Sequence, residues 1–179
     1  MAGFYDFILI DKDKINKKLK KYLNDSVTFH QFDTSIEINW KKFVNENRFK
    51  KKNYFQVSLI NFVGISRGYD SNRNLDFDTN TWKKVMQINI DSYFYSIKYL
   101  MPILHTFKSS RIINFSSIYG SRPPKHHIYK DLKTRQSIAY SASKGAINNL
   151  TNYIASKYSK YNHTINLISP GAIKNNKSE

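Results

Sequence analysis

The sequence predicts a single α/β domain, a doubly wound parallel sheet with helices on both faces. Three observations carry that reading. Short, nearly continuous apolar runs alternate with segments whose apolar residues recur at helical spacing, and such runs suit strands buried on both faces of a parallel sheet. The chain has 179 residues, 40% hydrophobic and 15% aromatic, enough to bury a core and too apolar for disorder. No internal repeat, low-complexity linker or boundary interrupts the alternation, so residues 1–179 read as one domain.

The elements come in a regular order. FILI (7–10) is a strand ending at Asp11, and residues 13–23 form a helix with Ile15, Leu19, Tyr22 and Leu23 on one stripe. VTFHQF (27–32) is the second strand, closing on Asp33. Thr34 and Glu37 then stand three apart, as in a capping box, ahead of a helix carrying Ile36, Trp40, Phe43 and Val44. VSLIN (57–61) is the third strand, ended by Gly64 and a polar loop. One long helix fills 79–105, with Trp82, Val85, Met86, Ile90, Phe94, Ile97 and Leu104 inward. RIINF (111–115) is the fourth strand. A polar stretch with prolines (121–136) precedes a second long helix, about 137–160, and TINLIS (164–169) is a fifth strand stopped by Pro170 and Gly171.

Composition excludes several classes. No apolar run approaches the roughly 18 residues that span a membrane. The start, MAGFYDFILIDKDK, lacks the basic region that precedes the apolar stretch of a signal peptide. The absence of cysteine rules out disulfides and thiolate metal sites and suits a reducing cytoplasm, where the chain is placed. The net charge of +16 invites a nucleic-acid reading, but the lysines accompany many Asn, Ile and Tyr, and runs such as INKKLKKYL read as solvated helix faces. No zinc-finger spacing or aromatic RNA-binding signature accompanies them, so a nucleic-acid partner is not expected. His126 and His127 are adjacent, without carboxylates at a workable spacing, and no metal site is expected.

The stretch that carries chemistry is YSASKGA (140–146). Tyr140 and Lys144 are i and i+4, so a helix stacks them on one face. A free phenol has a pKa near 10, too high for ready proton exchange at neutral pH. An ammonium about 4 Å away at an effective dielectric of about 20 is worth roughly 4 kcal/mol, about three pKa units. The pair thus makes sense as a proton donor or acceptor for a carbonyl oxygen that gains or loses hydride. Among 13 tyrosines and abundant lysines such a pair also arises by chance, and its company decides the matter.

That company resembles the short-chain dehydrogenase/reductase family over nearly the whole chain. LINFVG (59–64) is similar to the family's Leu-Val-Asn-Asn-Ala-Gly strand end, with Phe62 and Val63 in place of the second Asn and the Ala. VMQINIDSYF carries the helix asparagine at Asn89, RIINFSSIYG (111–120) the serine pair, YSASKGA the Tyr–Lys pair, and INLISPGAI (165–173) the segment closing over a nicotinamide. The resemblance implies a Rossmann-like sheet and an oxidoreductase in which Ser117 holds the substrate oxygen against Tyr140. It assigns Lys144 to the phenol and the nicotinamide ribose, and Asn89 to a water leading protons to solvent. Asp11 would accept hydrogen bonds from the adenosine ribose and repel a 2′-phosphate, which favours NAD over NADP despite Lys12 beside it. Asp33 would touch the adenine, and backbone around Asn61, Gly64, Pro170, Gly171 and Ile173 would line the cofactor. The bland alternative for Asp11 and Asp33 is a helix-start aspartate.

Ser117 and Tyr140 are 23 residues apart, a longer spacing than most members show. With Arg122, Lys125, His126, His127 and Arg135, the intervening segment suits an anionic or hydroxylated, sugar-like substrate, or it is a solvated loop sharing the overall lysine bias. The wording IYG…IY…AYSASKGAINNLTNYIA resembles dehydrogenases of flagellin modification and nonulosonic-acid pathways. The six glycines form no phosphate-cradling cluster, and after PGAI come only KNNKSE. These features predict a domain truncated at both ends, without the family's first strand and glycine-rich turn or its last strand, and a cleft where the first strand would lie. Other readings are a catalytically inactive remnant, an oligomerising subunit pairing through the two long helices (near 82–105 and 140–160), and an NAD-dependent sugar epimerase or dehydratase.

Overall fold

The computed structural model describes residues 6–16, 20–21, 24–47, 54, 56–66, 78–125, 127 and 136–171. Five strands and four α-helices alternate along it: β1 (Phe7–Asp11), β2 (Val27–Gln31), α1 (Glu37–Glu46), β3 (Gln56–Asn61), α2 (Thr79–Met86), α3 (Ser92–Leu104), β4 (Ser109–Phe115), α4 (Ile138–Lys157) and β5 (His163–Ile168). The strands form two parallel sheets, β1–β2 and β3–β4–β5, with no hydrogen-bonded ladder between them among the described residues. Register runs from Phe7↔Val27 to Asp11↔Gln31 in the first, and Asn61↔Asn114↔Leu167 crosses the second.

The core lies between the larger sheet and α3 and α4. Ile97, Met101 and Leu104 of α3 meet Ile112 of β4 and Ile154 of α4, with Val57, Leu59 and Ile165 at the margins. The smaller sheet is tied on through α1. Trp40 and Phe43 pack edge-on and tilted against Phe32, and Phe43 also meets His30. Thr34 Oγ1 donates to Ser92 Oγ at 3.0 Å, and Lys98 and Tyr99 of α3 donate to Glu37 Oε1.

All five predicted strands are present, with ends shifted by a residue or two. Four expectations differ. Residues 12–16 are not helical, and 17–19 and 22–23 of the helix expected over 13–23 lie outside the described residues. The Thr34/Glu37 capping box does not form, because both side chains are drawn to α3; Asp33 Oδ1 accepts from Ser35 N and Oγ at 2.9 and 2.7 Å instead. The helix over 79–105 is interrupted by a π turn at Gln87–Asp91. A π turn widens the helix and rotates the residues beyond it, so Tyr93 and Ser96 turn inward at 0% exposure while Phe94 is left 47% exposed. Finally, among the described residues the helices lie on one face of β3–β4–β5, and Ile60, Arg111, Thr164 and Ile168 on the other face are exposed.

Ile112, fully buried at the centre of the core, sets the stability scale. Ile112→Ala should cost about 2–5 kcal/mol and Ile112→Val about 0.5–1.5, measured as the shift in urea midpoint at unchanged slope.

Candidate active site

The chemistry-bearing residues gather where the strands end. Asp11 closes β1, Asn61 closes β3, Ser116 and Ser117 follow β4, and Pro170 follows β5. In open α/β sheets ligands bind outside the carboxyl ends of the strands. Beneath this rim runs a buried polar belt. Ser96 Oγ donates to Asn61 Oδ1 (2.8 Å), Asn61 Nδ2 to Asn114 Oδ1 (2.9 Å), and Asn114 Nδ2 to Thr151 Oγ1 (2.9 Å). The Asn61 side chain is thereby spent on fixing β3 to β4 and α3.

Asn89 sits inside the π turn with no exposed surface. Its Oδ1 accepts from Ile65 N (2.8 Å), and its Nδ2 donates to Ile65 O (3.0 Å) and Ser143 Oγ (2.9 Å). Ser143 Oγ in turn donates to the Tyr140 carbonyl (2.8 Å). One amide thus fastens the loop leaving β3 to the first turn of α4. Gly64 lies in that loop, where a Cβ would stand 3.4 Å from Lys144 Nζ and 3.5 Å from Asn89 Oδ1.

Tyr140 and Lys144 lie one turn apart on α4, whose N-cap, Ser137, accepts from Tyr140 N at 3.2 Å. The phenol is half-buried, while Lys144 is buried, with its Nζ 5.7 Å from the Tyr140 ring centroid and 5.8 Å from that of Tyr93. It has no salt-bridge partner among the described residues; Nζ donates to the Phe115 carbonyl at 2.9 Å. Burial pulls the Lys144 ammonium down from its ordinary 10.5 to about 8. The same carbonyl accepts from Tyr93 Oη at 2.8 Å, and burial, with Tyr140 beside it, pushes the Tyr93 phenol up, so Tyr93 stays a donor.

Ser117 begins a 3₁₀ turn (Ile118–Gly120) and its Oγ accepts from Tyr119 N at 3.2 Å. This turn is laid onto α4 beside Lys144. Ser116 Oγ reaches Lys144 O (3.1 Å) and Asn148 Oδ1 (2.5 Å), and Asn148 Nδ2 donates to Ser121 Oγ (3.1 Å). Only glycine fits at 120, where a Cβ would stand 2.7 Å from both Lys144 O and Ser116 Oγ. Pro170 O accepts from Ile118 N at 3.3 Å, which draws the segment after β5 over the same turn.

The arrangement therefore brings Asn89, Gly64, Tyr140, Lys144, Ser117 and Pro170 around one end of α4. Gly171 is exposed with open space around it, and Ile173 lies outside the described residues. Asp11 and Asp33 stand on the smaller sheet. Asp11 is exposed, its Oδ1 accepting from Asp13 N (2.9 Å), and Asp33 holds the turn into α1. Arg122, Lys125 and His127 are exposed; His126 and Arg135 lie outside the described residues. Among the described residues no cluster of three or more metal-ligating side chains occurs, and no helix is long and apolar enough to cross a membrane. Sequence reasoning missed Tyr93, Ser116, Ser143 and Asn148. Ser143 lies inside YSASKGA, and its hydroxyl is the link from Asn89 to Tyr140.

The sequence pattern that defines short chain dehydrogenases matches residues 7–179. A galactitol 2-dehydrogenase (L-tagatose-forming) of Cereibacter sphaeroides is 28% identical over 117 residues, 64% of this chain and 41% of that protein. An uncharacterised oxidoreductase of Staphylococcus saprophyticus is 29% identical over 144 residues, 79% of this chain and 56% of that protein. The chain thus spans about half the length of the curated relatives it matches. Among solved structures, ElxO with NADP bound superposes with a TM-score of 0.73 at 21% identity, covering 95% of this chain and 75% of that one. A short chain dehydrogenase of Leptospira borgpetersenii with bound NAD+ gives 0.72 at 19%, covering 97% and 74%. These likenesses show the α/β fold with parallel sheets.

The buried ammonium gives stability a pH signature. Between pH 8 and 10.5 the folded chain has released the Lys144 proton while the unfolded chain still holds it, so stability rises with pH across that window and is flat below it. The rise should total about 3 kcal/mol and vanish in Lys144→Met. Urea unfolding of both proteins at pH 7.5, 8.5 and 9.5 measures the difference, and a pH-independent difference would show the ammonium to be solvated.

Proposed function

The chain belongs to the short-chain dehydrogenase family, and we propose that its site moves a proton to or from the oxygen of a sugar-like alcohol or ketone during nicotinamide-dependent hydride transfer. The observation that supports this most is the convergence of Tyr140, Lys144, Gly64, Asn89 and the Ser116–Gly120 turn at one end of α4. The residues present suit the nicotinamide half of such a cofactor: a phenol, an ammonium and a strand-exit glycine lie together, without a carboxylate between them among the described residues. For the phosphates the sequence offers no glycine-rich turn, since its glycines are dispersed. When bound, the nicotinamide supplies or accepts the hydride.

The chain's own residues do the rest. Tyr140 Oη holds the proton exchanged with the substrate oxygen, and Ser117 Oγ orients that oxygen. Lys144, anchored by the Phe115 carbonyl, presents its ammonium beside the phenol and to ribose hydroxyls. Asn89 positions Tyr140 by way of Ser143; a water relay through Asn89 would have to use its backbone, because the side-chain amide is engaged. Asp11, exposed at the end of β1, favours NAD over NADP by repelling a 2′-phosphate, with Asp33 near the adenine. The sugar-like class is supported by the galactitol-dehydrogenase relative and by exposed Arg122, Lys125 and His127 on the segment after Ser117. The narrower placement in flagellin modification rests on the sequence wording alone. Exposed Phe94 on α3 and Tyr153 on α4, at 47% and 64%, support self-association through these helices.

A second reading, a non-catalytic member of the family, is favoured by Phe62 and Val63, which stand in LINFVG where the family's strand end has a second Asn and an Ala. Titration with NADH separates the two. Saturable binding with NAD-linked turnover of polyols supports the enzyme, and no calorimetric or fluorescence signal supports the other. In the enzyme, Tyr140→Phe should lower turnover about 10²–10⁴-fold with little change in NADH affinity. Asp11→Asn should narrow the preference for NADH over NADPH, read as the ratio of the two dissociation constants.

A further inference from the structure

At the opposite rim, where β4 and β5 begin, lies a cleft of about 310 Å³ lined by His105, Phe107, Lys108, Lys160, Tyr161, Asn162 and His163. β4 spans seven residues, so this rim stands roughly 20 Å from the strand ends described above. Ser110 and His163 are register partners, and Ser110 is fully buried. Ser110 Oγ hydrogen-bonds His163 Nδ1, and His163 Nε2 lies 2.6 Å from His105 Nδ1. This contact needs an N–H of one ring to face the lone pair of the other, so the hydrogen-bonded pair is neutral or carries one imidazolium, and a cation on each ring would set two charges against each other. Tyr158 and Tyr161 pack on the His105 ring. Among the described residues, the titratable groups facing the pair are these two phenols and the Lys108 and Lys160 ammoniums, and no carboxylate lines the cleft. Burial first, and His105 second, hold the His163 imidazole below its ordinary value. A concave site whose charges are all of one sign concentrates the opposite ion.

We propose that this cleft binds a small dianion of the sulfate or phosphate class, held by Lys108, Lys160 and the hydrogen-bonded imidazoles of His105 and His163. Its volume is at the low end for a ligand pocket, which suits a free oxyanion or one oxyanion group of a small molecule. Binding supplies a counter-charge beside the pair, so the bound state takes up on His163 a proton that burial and His105 make the free state resist. Affinity and protonation are therefore linked, each strengthening the other.

Sulfate is the probe, because its charge is constant between pH 6 and 8, and ionic strength is held fixed with chloride. The C2 proton signals of His105 and His163 should shift saturably with sulfate, and the dissociation constant should be about fivefold or more lower at pH 6 than at pH 8. Lys108→Gln combined with Lys160→Gln should weaken binding by a comparable factor, whereas Lys41→Gln combined with Lys42→Gln, on exposed α1 positions, should leave it unchanged. Should the first pair misfold by circular dichroism, Lys160→Gln alone is read in its place. Equal shifts with chloride, an affinity independent of pH, or equal loss in both variants would overturn the proposal. Phosphate and a sugar phosphate, titrated in the same way, then distinguish the free oxyanion from a ligand that carries one.

Discussion

One buried amide organises the strand-exit end of this molecule. Asn89 meets both backbone groups of Ile65 and the hydroxyl of Ser143, so the loop leaving β3, the π turn and the first turn of α4 share a single point of attachment. With no exposed surface, each of these contacts has no water to replace it, and an unmet donor or acceptor here would cost about 1–3 kcal/mol. The π turn is what makes the contact possible. A regular helix through 87–91 would carry Asn89 and everything after it to a different angle. The local irregularity and the site are therefore one feature, in keeping with the frequency of π turns at functional positions.

Lys144 shows the other constraint. A buried ammonium without a carboxylate is costly, and the protein limits the cost with a carbonyl at 2.9 Å and two aromatic faces. That solvation is partial, which is why burial draws the group down to about 8. A carboxylate in place of the Phe115 carbonyl would satisfy the charge more fully. The ammonium is thus kept available by being under-paired. Tyr93, sharing the Phe115 carbonyl, fixes the carbonyl's direction from the other side.

Much of this was legible in the sequence. The strands announced themselves as apolar runs, and Tyr140, Lys144, Asn89 and Ser117, singled out by the resemblance, lie around one helix end, while the roles it assigns them belong to the proposal. The features that were not legible have a common cause. Periodicity reports burial by apolar side chains, and the misses are polar groups whose partners lie far away in the chain. Thr34 bonds Ser92 across 58 positions and Ser116 reaches Asn148 across 32; neither pairing leaves a local trace. Phe94 misled because the helical count assumes one pitch throughout, and the π turn breaks it.

The two separate sheets divide the molecule unequally. β3–β4–β5 shares a core with two helices, whereas β1 and β2 are attached through α1 by an aromatic cluster and a few side-chain bonds to α3. Phe7, Ile8 and Leu9 are all more than 40% exposed, so β1 buries little. Local opening follows the smallest buried area. The β1–β2–α1 unit therefore breathes first, with its amides exchanging ahead of the larger sheet's. Asp11 and Asp33 ride on that unit, and Tyr140 does not. A ligand seated across both sheets would meet one surface that it must itself help to order and another already set.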